Sequence, residues 1–132
     1  MVFQAGQVFY LWCRFCNPQK NKYFVLAVVE PVPRFFLINS ALNAFQEKRP
    51  HVLASILPIK RSACRFLHHD SYLDCTALAG GYTAQQLEDK VTADPGVFMG
   101  RLDVNTRRAV RAVITQNKLL TTAEKTSLLA IW

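Results

Sequence analysis

The chain has 132 residues and a formal net charge of +7, enough length for one domain with a real core and a charge that directs attention to acidic partners, nucleic acid first and an acidic protein segment next. With 51% hydrophobic and 19% charged residues, the composition excludes a disordered chain. No apolar run reaches the ~18 residues that a bilayer crossing needs, and Met1-Val2-Phe3-Gln4 lacks the basic region and cleavage site of a signal peptide; a cytoplasmic protein with no membrane partner is expected.

Residues 6–12, Gly6-Gln7-Val8-Phe9-Tyr10-Leu11-Trp12, follow a glycine with an almost wholly apolar or aromatic run and predict a first strand. A polar loop from Arg14 to Lys22 comes next, its turn chemistry supplied by Asn17-Pro18. Two apolar runs, Tyr23 to Val29 and Phe35 to Asn39, then flank Glu30-Pro31-Val32-Pro33. Continuous runs of this kind suit strands buried on both faces, and the two prolines break any helix through the middle. The rest of the chain is organised around that pair, and its polar exit at Asn39-Ser40 is the first place where chemistry can sit.

Residues 40–45 read as a short helix or loop, and residues 51–59 as another strand held to an edge or an end by Pro58. Residues 71–76 predict a strand with Tyr72 and Asp74 on one face and Leu73 and Cys75 on the other. After Gly80-Gly81 the pattern turns helical. Thr83-Ala84-Gln85-Gln86 opens a helix to about Val91, Asp94-Pro95-Gly96 makes a turn, Asp103 caps a helix to about Asn117, and Thr121-Thr122-Ala123-Glu124 opens a last helix ending near Trp132. At about 100° per residue, Thr106, Ala109, Val110, Val113 and Ile114 share one arc of the Asp103 helix, while Arg107, Arg108, Arg111 and Lys118 share the opposite one. The first arc is core; the second is a basic stripe, either a solvated face or a phosphate-facing surface. A β-rich stretch over 5–79 followed by helices over 82–132 predicts a single α+β domain spanning 1–132.

Cys13-x-x-Cys16 is the sharpest-looking motif. Cys64 and Cys75 are too far apart to form a second knuckle, so a zinc site would need Cys64 and His68 to complete a set with Cys13 and Cys16. Three residues apart along a strand, Cys13 and Cys16 should face opposite ways, and in a reducing compartment all four cysteines read as thiols first. His68-His69-Asp70-Ser71 offers a base, an acid and a hydroxyl, of which at most two can face one substrate; a polar hairpin end with surface histidines is the plain alternative. Ser40 can cap a helix or hold a phosphate, and Lys20 and Lys22 lie in a loop of the kind that carries function. There is no nucleophile elbow and no Gly-rich phosphate loop.

Four features recur in a known order: a Gly-led strand at Gly6-Gln7-Val8-Phe9-Tyr10-Leu11, a second apolar strand at Phe24-Val25-Leu26-Ala27-Val28-Val29, a third ending in a hydroxyl at Leu37-Ile38-Asn39-Ser40, and a turn into an amphipathic helix at Gly100-Arg101-Leu102-Asp103-Val104. In that order they resemble the MazF/PemK/Kid family of toxin endoribonucleases, and the resemblance spans most of residues 6–118. It implies a small SH3-like antiparallel β-barrel of the CcdB/PemK type with C-terminal helices. It also implies metal-independent cleavage of single-stranded RNA by transesterification, without a cofactor, in a homodimer checked by an acidic antitoxin protein.

The family usually carries an Arg-Pro at the start of the second strand, whose Arg serves catalysis; this chain has Lys22-Tyr23 there. Arg14, Lys20 or Lys22 would then take over the phosphate, with Ser40 positioning it and His69 or Asp70 transferring protons. Lys20, Arg107, Arg108 and Arg111 would bind the RNA, and Tyr10, Trp12 or Phe15 can stack an unpaired base. The alternative is the same barrel kept as a non-catalytic module that contacts nucleic acid or an acidic protein through its basic face.

Overall fold

Six strands, β1 (Gln7–Cys13), β2 (Lys20–Val28), β3 (Arg34–Asn39), β4 (Ile56–Ile59), β5 (Ser71–Ala79) and β6 (Phe98–Arg101), make one antiparallel sheet in the order β4-β5-β3-β2-β1-β6. The computed structural model describes residues 1–132. Five helices accompany the sheet: α1 (Ala44–Glu47), α2 (Pro50–Leu53), α3 (Ala84–Ala93), α4 (Val104–Gln116) and α5 (Thr122–Leu129). The sheet curls into a half-barrel, so the fold is α+β with helices gathered toward the C-terminus, as the sequence predicts. No helix is long and apolar enough to cross a membrane.

The central strands follow from their composition. Phe24 to Val28 are all buried, and since successive side chains alternate, both faces of the sheet must be covered there. Phe24 and Leu26 join Phe9, Leu11 and Phe35 in one core, closed by Leu87 of α3. Val25 and Ala27 point the other way, into a larger core with Phe36, Leu73, Val110, Ile114 and Leu128 beneath α4 and α5. Register shifts between Leu26 and Val28 and between Phe35 and Leu37 interrupt the ladders; extra residues of this kind bend a strand and tighten its twist.

The helix caps are where the sequence places them. Thr83, Asp103 and Thr121 accept hydrogen bonds from the amides of Gln86, Thr106 and Glu124, and the side chains of Gln86 and Glu124 return the bond at two of the three. Helix α5 is tied to β3 by Arg34 and Glu124, 2.9 Å apart. Asn117, buried just past α4, donates from Nδ2 to the Cys75 carbonyl at 2.7 Å and accepts from the amides of Leu119 and Leu120 at 2.7 and 2.9 Å.

Three expectations need correction. Residues 51–59 are not one strand: Pro50 opens the single turn of α2, a position that suits its fixed φ and missing N–H, and only Ile56–Ile59 is extended. The second concerns Cys13 and Cys16, which are disulfide-bonded with Cα atoms 5.5 Å apart rather than facing opposite ways as free thiols. Strand β1 ends at Cys13 and the chain turns at once, so strand alternation does not reach Cys16. Finally, β6 was not foreseen. It pairs with only the first half of β1, and the Leu102 amide then donates to the Gly6 carbonyl at 2.9 Å. Gly6 has φ +89°, and a Cβ there would lie 2.9 Å from Cδ of Arg107, so glycine is required by conformation and by room.

Candidate functional site

Strand β2 begins with three polar residues, Lys20, Asn21 and Lys22, before its apolar run, and β3 ends on Asn39 followed by Ser40. The antiparallel pairing of Tyr23 with Ile38 sets these polar ends side by side. On the other flank of β3, Asn39 pairs with Tyr72 of β5, which brings in the histidine loop that precedes β5. A cleft of about 580 Å³ results, with Lys20, Lys22, Ser40, His68 and His69 in its lining and no carboxylate among the lining residues. Tyr10 of β1 and Tyr23 form an aromatic wall, ring centroids 4.8 Å apart, and Tyr23 is steadied by Phe66, whose carbonyl accepts from its hydroxyl at 3.1 Å.

Lys22 is half-buried and donates to Oδ1 of Asn39. Burial holds its ammonium below the usual lysine value, the charge of Lys20 pushes the same way, and Asp74 partly opposes both. Asp74 lies on β5, where its Oδ1 accepts from the amide and hydroxyl of Thr76 at 2.9 and 2.5 Å and its Oδ2 from Gln46 at 3.4 Å. Its charge is the smallest of the three influences on Lys22, and no ion pair joins the two. The alternation of β5 places Asp74 on a polar face, but only the register that pairs it with Leu37 of β3 sets it near Lys22.

His69 is held by its neighbour. The buried Ser71 hydroxyl lies 3.0 Å from the His69 carbonyl and 3.3 Å from Nδ1 of the same residue. A hydroxyl has one proton, so donation to the carbonyl leaves Oγ to accept from Nδ1–H; the lone pair of Nε2 is then free. Among the two bonds available, this assignment satisfies both.

Of the residues that the sequence singles out, Lys20, Lys22, Ser40 and His69 line the cleft, and His68 joins them. Asp70 does not: its Oδ1 accepts from the Arg61 amide at 2.9 Å, which fixes the turn before β5. Arg14 also lies elsewhere, in a neighbouring hollow with Trp12 and Tyr82. The basic stripe of α4 lies outside the cleft too, and two of its arginines are committed to the fold. Arg107 donates to the Leu102 carbonyl, and Arg111 to the carbonyls of Leu129 and Trp132 at 2.7 and 2.8 Å; Arg108 is exposed.

Cys64 and Cys75 are buried thiols, both pushed to higher pKa by burial, and no group of three or more His, Cys, Asp or Glu side chains comes together as a metal site would need. The residues missed by the sequence are Asp74 of β5 and Gln46 of α1, both polar and neither in a recognisable motif, whereas Asn39 stood out as the polar exit of its strand. No protein-family model, curated protein or solved structure matches the chain.

Proposed function

We propose that this cleft cleaves single-stranded RNA by transesterification. The observation that carries the reading is the gathering of Lys20, Lys22, Ser40 and His69 around one carboxylate-free hollow. His69 Nε2 takes the 2′-hydroxyl proton, the 2′-oxygen attacks phosphorus, and the Lys22 ammonium bonds the non-bridging oxygens as negative charge builds on the phosphorane. His68 gives a proton to the departing 5′-oxygen, leaving a 2′,3′-cyclic phosphate and a free 5′-hydroxyl. Ser40 and Lys20 orient the phosphate. Base, acid and cation are all side chains, so the chemistry runs in the presence of EDTA.

The half-barrel with C-terminal helices supports the finer assignment to the SH3-like, PemK-type barrel that the sequence resembles, and with it a toxin role in the cytoplasm, as a homodimer held in check by an acidic antitoxin. Asp70 bound to Arg61 and Arg14 outside the cleft favour the second reading, a non-catalytic module that grips RNA or an acidic protein segment. Purified protein incubated with mixed single-stranded RNA in EDTA separates the two. The nuclease gives discrete cuts with cyclic-phosphate ends that vanish in His69→Ala, whereas the module gives salt-sensitive retention of intact RNA.

A further inference from the structure

Strand β6 pairs with β1 no further than Phe9, so Tyr10 and Trp12 lie beyond the protection of that neighbour. Both point from the same face of β1, two residues apart. They are large aromatics left 40% and 46% exposed, which a fold with two filled apolar cores does not require. Each ring is braced rather than loose. Tyr10 packs at a tilt of 44° against Tyr23, ring centroids 4.8 Å apart, and Trp12 donates from Nε1 to Gln19 Oε1 at 3.3 Å, while the Trp12 carbonyl accepts from the Tyr82 hydroxyl at 2.7 Å.

Cations flank this pair at both ends. Tyr10 lines the cleft that holds Lys20 and Lys22; Trp12 lines a second hollow of about 420 Å³ with Arg14 and Lys90, and no carboxylate lines that hollow either. We propose that β1 is a two-base stacking platform, on which Tyr10 and Trp12 each take one base of an extended single-stranded RNA whose backbone runs from the lysine cleft to the Arg14–Lys90 hollow. Residues i and i+2 of a strand stand roughly 7 Å apart, a spacing that suits successive bases of an unstacked strand and not those of a duplex, whose stacked bases lie about 3.4 Å apart. Charge complementarity selects a polyanion, and braced aromatics beside cations select one that carries π-faces. Arg14, outside the cleft, thus gains a role as a backbone contact away from the reacting phosphate.

This inference rests on the RNA reading above, and its test keeps the two apart. A fluorescently labelled 2′-O-methyl oligoribonucleotide, which cannot be cut, is titrated with protein and followed by anisotropy, beside an abasic strand of the same length. Tyr10→Ala and Trp12→Ala are each expected to weaken binding of the base-bearing strand about tenfold, while Tyr10→Phe and Trp12→Phe keep it. The abasic strand binds weakly to all five proteins alike. Equal affinity for the abasic and base-bearing strands, or alanine variants that bind as tightly as the parent, would overturn the platform even if cuttable RNA is still cleaved in a His69-dependent way. Aromatic-dependent binding without any cleavage would sustain the platform and overturn the nuclease.

Discussion

The ammonium of Lys22 on β2 donates to the side-chain oxygen of Asn39 on β3, and the two together close the floor of the cleft. A half-buried charge beside a second lysine is a liability for folding. Lys22→Met is therefore expected to raise the melting temperature by a few degrees, read by calorimetry, while abolishing RNA cleavage. In the parent protein, cleavage should fall on the alkaline side at a pH below the ordinary lysine value of 10.5, because the ammonium loses its proton early. Lys22→Arg should carry that alkaline limb upward. A variant that loses stability along with activity would show the lysine to be structural.

Ser71, buried in the wall of the cleft, holds His69 through Nδ1 and its carbonyl. Removing its hydroxyl in Ser71→Ala should release Nδ1, so that nitrogen-detected NMR shows the His69 ring shifting toward the Nε2–H tautomer. The expected kinetic result is a fall in kcat of about tenfold with KM little changed. An unaltered tautomer would remove Ser71 from the mechanism.

Asn117 satisfies one carbonyl and two amides from a buried position. Asn117→Ala leaves all three without that partner, and at about 1–3 kcal/mol for each buried group left unpaired the loss of stability should be about 3 kcal/mol or more. Urea unfolding with an unchanged m-value would measure it. A loss below about 1 kcal/mol would mean that other groups or water replace the side chain.

Glu124 gives the fold an acid-sensitive joint. The Thr121 amide, above all, holds its carboxyl below the ordinary value of 4.5; burial pushes the other way, and Arg34 adds to the depression. With the folded value below the unfolded one, the unfolded chain binds more protons in the interval between them, so the stabilisation is complete above 4.5 and is lost as pH falls through the depressed value. Glu124→Gln should flatten this part of the stability–pH curve and leave the neutral side nearly parallel to the parent. A steep acid limb retained in the variant would assign it to other carboxylates, of which Asp103, held low chiefly by the Thr106 amide, is the first to examine.

Elements with a local cause were legible in the sequence. The double-sided burial of β2 and β3 follows from unbroken apolar runs, and the starts of α3, α4 and α5 follow from Thr83, Asp103 and Thr121. What was hidden depends on pairing at a distance. Strand β6 is four residues long and contains a glycine, so it carries no periodicity of its own until β1 supplies a partner. The cleft was half legible: Lys20, Lys22, Ser40 and His69 stood out as residue types, but nothing local shows that Asp70 turns back to Arg61 or that the charge of Asp74, two strands away from Lys22 in the sheet, acts on that lysine.

The two apolar clusters share one strand, with Phe24 and Leu26 on one side of β2 and Val25 and Ala27 on the other. Neither can come apart while the other keeps β2 in register, because exposing one face of the strand frees the backbone that the second face depends on. The molecule is thus mechanically a single unit despite having two interiors. A substitution deep under α4 should lower the unfolding temperature reported by the α3 side as much as that reported by its own, and heat should unfold both in one step.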